Sequence, residues 1–294
     1  MMCITGANGT VGSEVVRQAQ AAGAPFRAAY HSRAKADAAR AQGIEAVVVD
    51  YERTDTLRAA FRGCEKLFLL GPSAVNQRQL EENAVAAARA AGVQHVVKQS
   101  VLNAGGEAYA IARIHRAVES SLETSGLAWT FLRPNAFMQN FVTYLGATIR
   151  AESAFYSAAG SGKIAHVDVR DIAAVALLAL TRPGHEGKAY ELTGPEALSY
   201  DETAAELSRA LGRPIRHVNL PPEDYRQGML AEGVPAPLAD LLVDLERLYR
   251  EGGARGLSPD VRKVTGREPI AFARYARETA ATGAWNAEAA QTAS

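Results

Sequence analysis

Short apolar runs alternate with amphipathic helical stretches through the first half of this 294-residue sequence. The apolar runs hold Val, Leu and Ile without alternating polar residues, which is typical of strands buried on both faces of a parallel sheet. Strand–helix alternation with short links predicts a doubly wound α/β sheet, because parallel crossovers are almost always right-handed. The predicted strands are residues 2–5, 26–30, 46–49, 66–70, 95–99 and 128–132, and the predicted helices are residues 11–22, 35–42, 55–61, 77–91 and 109–124.

The pattern becomes less regular after Pro134. Helices are predicted at residues 137–149, 169–181, 200–211, 238–249 and 269–278, strands at residues 155–157, 189–193 and 215–219, and loops at residues 228–237 and 251–256. This second half therefore predicts a smaller α/β lobe. The Ala-rich residues 281–294 predict a frayed, flexible tail.

The balance of charge removes several classes of partner. The 32 Lys and Arg residues equal the 32 Asp and Glu residues, so the chain lacks the basic excess typical of proteins that bind nucleic acids or anionic membranes. Cys3 and Cys64 are too few for a disulfide framework or a metal cage. The N-terminus shows neither a signal peptide nor a membrane anchor. We expect a cytoplasmic protein without a metal site.

A glycine-rich turn connects the first predicted strand to the first predicted helix. Gly6 permits a tight turn, Gly9 allows a pyrophosphate to approach the backbone, and Gly12 allows close packing of helix and sheet. The helix N-terminus would offer free N–H groups to the phosphates. With Asn8, Thr10 and Val11 between the glycines, this turn predicts a dinucleotide site; the alternative is a tight turn without a ligand.

The end of the second predicted strand indicates which dinucleotide binds. An NAD site usually places an acidic residue there, whereas this chain has His31, Ser32 and Arg33, with no acid before Asp37. Arg33 and Ser32 could bind a ribose 2′-phosphate, which favours NADP over NAD. The alternative is an exposed arginine near a helix start.

Two further strand ends lie where such folds contact the cofactor. Asp50 and Tyr51 follow the third strand and would border the adenine, although Asp50 could also serve only as a turn residue. Gly71 and Pro72 follow the fourth strand, beside the expected nicotinamide ribose, although Gly-Pro is also a common turn.

We therefore predict a Rossmann-type dinucleotide-binding domain at residues 1–133 and a substrate lobe, interleaved with that domain, at residues 134–280.

The sequence resembles the NmrA-like group of atypical short-chain dehydrogenases, and within it the bacterial NADPH-dependent quinone and triphenylmethane-dye reductases. The resemblance extends to about Tyr275. The matching segments are TGANGTVG at residues 5–12, Arg33, Asp50, HRAVE at residues 115–119, WTFLRPN at residues 129–135, Asn140, VDVRDIA at residues 167–173 and LTGP at residues 192–195. The resemblance implies an NADPH-dependent reductase, and the group also contains redox-sensing regulators that bind the dinucleotide without turnover.

Most short-chain dehydrogenases pair a Tyr with a Lys four residues later, and the nearest candidate here pairs Tyr109 with Arg113. Of the remaining polar residues, His115 could contact the cofactor or donate a proton; alternatively, it pairs with Glu119 one helical turn away. Ser100, at the end of the fifth strand, could bond a substrate oxygen or the cofactor, or could simply cap the strand.

The segment after the sixth strand would pass the nicotinamide, so Pro134, Asn135 and Phe137 are predicted cofactor contacts. Aromatic and apolar side chains follow at helical spacing. They would line a substrate pocket, with core packing as the alternative reading, and are Phe137, Met138, Phe141 and Tyr144.

A site that positions its substrate but lacks a dedicated acid should prefer conjugated, electron-poor acceptors, because hydride addition to them gives a stabilised product. We therefore predict an NADPH-dependent oxidoreductase that reduces a quinone, imine or dye. A homodimer is one oligomeric state that the sequence allows. The rival prediction is a redox-sensing regulator that binds NADP(H) without turnover.

Overall fold

The structure is a computed structural model that describes residues 1–286. Its strands are β1 (Met2–Ile4), β2 (Phe26–Tyr30), β3 (Ala46–Val48), β4 (Lys66–Leu69), β5 (His95–Gln99), β6 (Ala128–Pro134), β7 (Ala154–Ser157), β8 (Lys163–Ile164), β9 (Lys188–Leu192), β10 (Leu198–Ser199) and β11 (Arg216–Asn219). Its helices are α1 (Thr10–Ala21), α2 (Arg33–Ala41), α3 (Thr54–Phe61), α4 (Gln77–Ala90), α5 (Ala110–Glu123), α6 (Asn140–Thr143), α7 (Gly146–Glu152), α8 (Val169–Thr181), α9 (Tyr200–Leu211), α10 (Pro222–Ala231), α11 (Ala236–Arg250), α12 (Asp260–Thr265) and α13 (Phe272–Ala281).

A seven-stranded sheet with the order β3-β2-β1-β4-β5-β6-β9 forms the centre of the first part of the chain. Every neighbouring pair in this sheet is parallel. The strand order reverses between β1 and β4, which is the place where open α/β sheets bind their ligands. The predicted doubly wound parallel sheet is confirmed.

The sheet is buried on both faces because its strands present apolar side chains in both directions. Cys3, Leu67 and Val96 belong to one core cluster, which also contains Leu80 of α4 and Leu122 of α5. The alternate strand positions point to the opposite face, where α8 packs along β4, β5 and β6 and against α1. Continuous apolar strands thus give two helical layers around one sheet.

The chain divides into two compact units. The first comprises Met1–Pro134, Val169–Leu192 and Asp260–Gly266, and it contains the whole seven-stranded sheet. The second comprises Asn135–Asp168, Thr193–Pro259 and, as far as the structure describes the chain, residues 267–286. Within it, β7 pairs in parallel with β11, and β8 pairs antiparallel with β10.

An aromatic cluster forms the core of the second unit. The ring of Phe141 meets the rings of Phe155 and Phe272 edge to face, with centroids 5.4 and 5.1 Å apart, and Tyr200 packs against Phe155 at 5.6 Å. Such contacts add about 0.5–1.5 kcal/mol per pair beyond the buried area. This core orders the segments that follow β6.

Several predicted elements of the second unit are wrong. Residues 137–149 do not form one helix: α6 ends at Thr143 and α7 begins at Gly146. The predicted loop at residues 228–237 overlaps α10, which has a proline in its first turn and acidic residues beside it. Helix α12, which belongs to the first unit, was also missed, because it is only six residues long.

The predicted tail also differs from the structure as far as the chain is described. Helix α13 extends to Ala281, and Trp285 is almost fully buried, with its indole N–H donating to the carbonyl oxygen of Phe141 at 2.7 Å. The prediction of a frayed segment is therefore wrong for residues 281–286, and its remainder lies outside the described residues.

Candidate active site

The turn between β1 and α1 forms an open backbone cradle. Gly6 has a φ of +62°, and a Cβ on Gly12 would lie 2.0 Å from the carbonyl oxygen of Gly6, so both positions require glycine. Gly9 is the N-cap of α1 and has no side chain to bond the first-turn N–H groups. A helix leaves its first four N–H groups without internal partners, so this end offers donors to a ligand.

The surroundings of this cradle suit a phosphate. No acidic residue lies in the first turn of α1, and the helix dipole adds partial positive charge there. Asn8 and Thr10 are exposed at its rim, whereas Val11 is buried against the sheet. The residues present therefore fit the diphosphate of a dinucleotide, and Val11 contributes through its backbone and through packing.

The end of β2 presents a cation beside this cradle. Ser32 is the N-cap of α2, and its hydroxyl accepts a long hydrogen bond of 3.5 Å from the backbone N–H of Lys35. Arg33, the first residue of α2, is exposed and forms no ion pair with any side chain in residues 1–286. His31 is also exposed. The guanidinium of Arg33 is therefore free to bind an anionic group.

Asp50 and Tyr51 order the end of β3. One carboxylate oxygen of Asp50 accepts from the N–H of Glu52 at 2.9 Å, as in the turn alternative, and its other oxygen remains for a ligand. Tyr51 is buried in the core cluster, and its hydroxyl donates to the carbonyl oxygen of Leu70 at 2.8 Å. Burial raises the pKa of Tyr51. The prediction that the Tyr51 side chain borders the adenine is corrected, because its ring packs inside the sheet–helix core.

The end of β4 closely approaches a buried acid. A Cβ on Gly71 would lie 2.6 Å from Oε1 of Glu81, so glycine is required to admit this carboxylate, and Pro72 beside it is exposed. The small residue predicted beside a ribose therefore also makes room for Glu81 of α4.

A buried polar cluster joins the start of α4, the end of β5 and the first half of α5. Nζ of Lys98, whose side chain is fully buried, forms an ion pair with Oε2 of Glu81 at 2.5 Å, outside regular hydrogen-bond geometry. The same ammonium lies 3.0 Å from Nδ1 of His115 and donates to the carbonyl oxygen of Gln99 at 2.9 Å. Nε2 of Gln77 donates to Oε1 of Glu81 at 2.9 Å and lies 3.2 Å from Nε2 of His115.

His115 therefore pairs differently from the predicted structural alternative. Its partners are Lys98 and Gln77, whereas Glu119 accepts two hydrogen bonds from Arg133 at 2.9 and 2.7 Å. The alternative in which His115 pairs with Glu119 is wrong, because its two ring nitrogens lie beside Lys98 and Gln77 instead. Burial, and then the charge of Lys98, hold the pKa of His115 well below its usual value, so the ring is neutral at pH 7.

Ser100 is buried at the end of β5. Its backbone N–H donates to the carbonyl oxygen of Leu132 at 2.6 Å, and its hydroxyl makes no hydrogen bond of regular geometry within residues 1–286. Burial raises the pKa of Glu119, but hydrogen bonds from Arg133 and, to a smaller extent, the Ser100 hydroxyl lower it, and the pKa is lowered on balance. Because Ser100 is only 1% exposed, it would have to act on a ligand that reaches well into the sheet edge.

Tyr109 is not placed for proton transfer. Its side chain is 3% exposed, and its hydroxyl donates to the carbonyl oxygen of Leu102 at 3.0 Å. Burial raises its pKa, so the phenolate is further disfavoured. Arg113 instead reaches the carbonyl oxygen of Glu107. The side chains of Tyr109 and Arg113 thus bond two separate backbone carbonyls.

The end of β6 and the residue after it contain two of the remaining predicted cofactor contacts, Pro134 and Asn135. Pro134 ends β6, and its carbonyl oxygen accepts from the N–H of Leu102 at 2.9 Å. Both ends of the buried Asn135 amide are used, because Nδ2 donates to the carbonyl oxygen of Ala254 and Oδ1 accepts from the N–H of Ala136, each at 2.8 Å. Because Asn135 is also only 4% exposed, we expect any contact with a cofactor to come from its backbone.

The four residues predicted to line a substrate pocket do not share one surface. Met138 and Phe141 are each 1% exposed in the core of the second unit, Phe137 is half-buried, and Tyr144 is 78% exposed. The pocket role of Met138 and Phe141 is corrected to core packing, because neighbouring rings and backbone enclose them. Phe137 and Tyr144 keep accessible surface.

Sequence reasoning missed the buried pair Lys98–Glu81 and its neighbour Gln77. A signal was present, because Lys98 directly follows Val96 and Val97 in a predicted strand of the sheet, and every residue of that strand is buried. A lysine at such a position needs an acidic partner. The acid could not be chosen, because Glu81 is followed by a second acid, Glu82, on a helix that looks amphipathic.

A model of the NmrA-like family matches residues 1–270 of this chain.

The chain belongs to the NmrA-like family.

Several relatives whose names state an enzymatic activity align with nearly the whole length of this NmrA-like chain. The sequence is 42% identical over 282 residues to an NAD(P)H azoreductase of Xenophilus azovorans, covering 96% of this chain and 98% of the relative. A solved structure of the NADPH-dependent quinone oxidoreductase of Escherichia coli in complex with NADPH aligns with a TM-score of 0.85 and 33% identity, covering 95% of this chain and 99% of the other. The triphenylmethane reductase of Citrobacter sp. in complex with NADP(H) aligns with a TM-score of 0.83 and 28% identity, covering 95% and 99%.

Two other kinds of feature are absent from residues 1–286. No group of three or more His, Cys, Asp or Glu side chains there could hold a metal ion. None of the helices in that range combines the length and the apolar character that a membrane crossing requires.

Proposed function

We propose that this chain is an NADPH-dependent reductase of electron-poor, conjugated small molecules such as quinones, azo or triphenylmethane dyes, and imines. The observation that carries the proposal is the open glycine cradle at the start of α1, which lies at the switch point of a sheet shared with reductases that bind NADPH. The family relationship and the azoreductase, at 42% identity, support an oxidoreductase.

The bound cofactor would be held by backbone on one side and by a cation on the other. The first-turn N–H groups of α1 would bind the diphosphate, and Gly6 and Gly9 would admit it. Arg33, together with Ser32 and His31, would bind the 2′-phosphate, because a forked guanidinium matches phosphate oxygens. Asp50 would accept from the adenine, and the backbone at Gly71, Pro72, Pro134 and Asn135, with Ser100 and Phe137, would border the nicotinamide end.

The reduced nicotinamide, when bound, supplies a hydride to the acceptor. The residues of this chain would then exclude water and orient the acceptor, and orientation alone can lower a barrier by up to about 7–11 kcal/mol. The proposal includes no tyrosine proton donor from the start of α5, because Tyr109 is buried and its hydroxyl donates to the carbonyl oxygen of Leu102. A conjugated acceptor suits such a site, because it spreads the charge that it gains and water can complete its protonation.

The test is NADPH oxidation by the full chain with matched acceptors. The panel contains a quinone, an azo dye, a triphenylmethane dye and a cyclic imine, with an unconjugated ketone of similar size as the comparison. We expect turnover of at least one conjugated acceptor and little turnover of the ketone. Rapid reduction of the ketone, together with no reduction of any conjugated acceptor, would contradict the proposed substrate class.

Dinucleotide binding is measured in parallel by quenching of intrinsic fluorescence. Saturable NADPH binding without turnover of any acceptor would instead favour a redox-sensing regulator, the rival function. A cytoplasmic location and a homodimer also stay predictions.

A further inference from the structure

The buried cluster of Gln77, Glu81, Lys98 and His115 contains a conflict of hydrogen-bond donors. Nδ1 of His115 faces the Lys98 ammonium at 3.0 Å, and Nε2 of His115 faces the side-chain nitrogen of Gln77 at 3.2 Å. A neutral imidazole carries one N–H, so that N–H must point at a donor whichever nitrogen holds it. The tautomer of His115 therefore depends on which neighbour tolerates this better.

The charges in the cluster decide between the two tautomers. Glu81 fixes the ammonium of Lys98 in place, with Nζ 2.5 Å from its carboxylate, and Lys98 has no exposed surface. An N–H on Nδ1 would meet this fixed positive charge, whereas an N–H on Nε2 meets only the neutral and half-buried amide of Gln77. Lys98 therefore donates to Nδ1, and the proton of His115 lies on Nε2.

The carboxylate also fixes the orientation of the Gln77 amide. Its nitrogen lies 2.9 Å from Oε1 of Glu81, and a rotated amide would place its oxygen against that negative charge instead. Gln77 therefore cannot present its oxygen to His115. The N–H on Nε2 is left without an acceptor inside the cluster, although the side chain is 7% exposed.

The position of the cluster in the sheet gives this N–H a use. Gln77 is the first residue of α4, which follows β4, and His115 lies in the first half of α5, which follows β5. Both positions are at the carboxyl edge of the parallel strands, where such sheets bind their ligands. The carboxylate of Glu81 in addition takes up the space beside Gly71, which follows the end of β4, since a Cβ there would lie 2.6 Å from its Oε1.

We propose that His115 acts as a neutral hydrogen-bond donor to the substrate through Nε2, and that Lys98 and Glu81 are positioning residues that fix this tautomer. The inference rests on the proposed reductase function. Hydride addition leaves an electron pair on the conjugated oxygen or nitrogen of the acceptor, and the His115 N–H bonds that atom as its charge develops. A proton from water then completes the product, and His115 keeps its own proton throughout.

A neutral imidazole is suited to this role because its charge does not change near neutral pH. The groups that act on His115 are Gln77 from α4, Lys98 from β5 and Glu119 from its own helix, and Glu81 from α4 contacts Lys98 and Gln77. Among them, Lys98 carries the positive charge that opposes protonation of the ring. Removing that charge should raise the pKa of His115 and release the choice of tautomer.

The first experiment reads the tautomer directly, without a reaction. Histidine-selective 15N labelling of the full chain, with the His115 signals assigned from His115→Gln, distinguishes N–H on Nε2 from N–H on Nδ1. We expect a neutral Nε2–H ring that does not titrate between pH 5.5 and 8.5, and a titrating ring in Lys98→Met. Arg116→Met is the control, because it removes a nearby cation that is bonded to Glu119 and Glu123. A wild-type ring that titrates in this range, or that carries its proton on Nδ1, overturns the proposal.

The second experiment reads the effect on turnover. His115→Phe should lower kcat by about 100-fold, the usual loss for one such donor, with the NADPH dissociation constant within twofold of wild type. His115→Gln keeps a neutral amide donor and should recover most of the rate. Equal rates in wild type, His115→Phe and His115→Gln would overturn the proposal. If wild type reduces no acceptor, the proposed function fails, and the tautomer experiment still decides the assignment of Lys98 and Glu81.

Discussion

A Cβ on Gly12 would lie 2.0 Å from the carbonyl oxygen of Gly6, so the first turn of α1 packs directly on the turn that precedes it. No side chain can enter this contact without moving backbone, and the backbone here is also the predicted phosphate cradle. The same contact therefore links the stability of the first unit to the binding of its cofactor.

We expect Gly12→Ala to weaken both properties. The clash is with backbone rather than a flexible side chain, so the variant should lose about 1–3 kcal/mol of unfolding free energy, as overpacked sites do. The NADPH dissociation constant should rise more than tenfold. Urea denaturation and fluorescence titration measure the two effects.

Gly228→Ala is the matched control for this change. Gly228 lies inside α10, and apart from the adjoining backbone of its own helix a Cβ added to it would meet no atom of residues 1–286 within 4 Å. Alanine is favoured over glycine in helices by about 0.5–1 kcal/mol, so this variant should be more stable than wild type. Equal stability of Gly12→Ala and Gly228→Ala would contradict the close approach.

Arg33 offers a test of the preference for NADPH. Because its guanidinium is exposed and forms no ion pair within residues 1–286, Arg33→Ala should leave stability nearly unchanged. The Michaelis constant for NADPH should rise at least tenfold, and that for NADH should change by less than twofold, because only NADPH carries the 2′-phosphate. Arg58→Ala, which removes an exposed arginine of α3, is the control. Equal effects of Arg33→Ala on both cofactors would show that Arg33 does not bind the phosphate.

The sequence predicted the sheet better than the site for a physical reason. Each strand of the sheet is a local apolar run, and β1 to β6 and α1 to α5 lie within two residues of their predicted bounds. The Lys98–Glu81 pair joins a strand to a helix, and Trp285 bonds the chain 144 residues before it. Such long-range partners leave no periodic pattern, so only the packed chain reveals them.

Ser157, His217 and Asp201 form a hydrogen-bonded series that looks like a catalytic triad. Oγ of Ser157 lies 2.8 Å from Nε2 of His217, and Nδ1 of His217 lies 2.9 Å from Oδ1 of Asp201. Exposure is reversed relative to a working triad, because Ser157 is 2% exposed and the Asp201 side chain 74% exposed. The N–H of Ala159, which could otherwise bind an oxyanion, donates to Oγ of Ser157 at 3.3 Å.

We therefore predict a structural role for this series. A fluorophosphonate probe should not label the native chain at Ser157. Ser157→Ala should cost about 1–2 kcal/mol of unfolding free energy, because it leaves a buried imidazole nitrogen without a partner. Stoichiometric labelling that disappears in Ser157→Ala would reveal a nucleophile and contradict this prediction.

The buried acid Glu246 makes the stability of the second unit depend on pH. The side chain is 6% exposed, and one oxygen accepts from the N–H of Ala158 at 3.1 Å. Burial raises the pKa of Glu246 to about 7, although the Ala158 N–H and the charge of Arg250 act in the opposite direction. An unfolded chain would instead titrate this carboxyl near its ordinary pKa of about 4.3.

The sign of the effect follows from where the proton is held. Between about pH 4.3 and pH 7 the folded chain keeps a proton on Glu246 that the unfolded chain has lost, so this residue makes folding less favourable as pH rises. The slope is at most about 1.4 kcal/mol per pH unit for one proton, and it ends once the folded carboxyl has also ionised.

Glu246→Gln should remove this slope and leave the hydrogen bond from Ala158 in place. We expect the variant to gain unfolding free energy over wild type as the pH rises from 5 to 8, with most of the gain between pH 5 and 7. Urea denaturation at four pH values in this range measures the difference, and Glu223→Gln, a change at an exposed acid of α10, serves as the control. A stability difference between Glu246→Gln and wild type that stays constant across these pH values would contradict the prediction. It would mean that the folded carboxyl titrates as it does in the unfolded chain. Only a proton that the folded state retains can make the two stability curves diverge with pH.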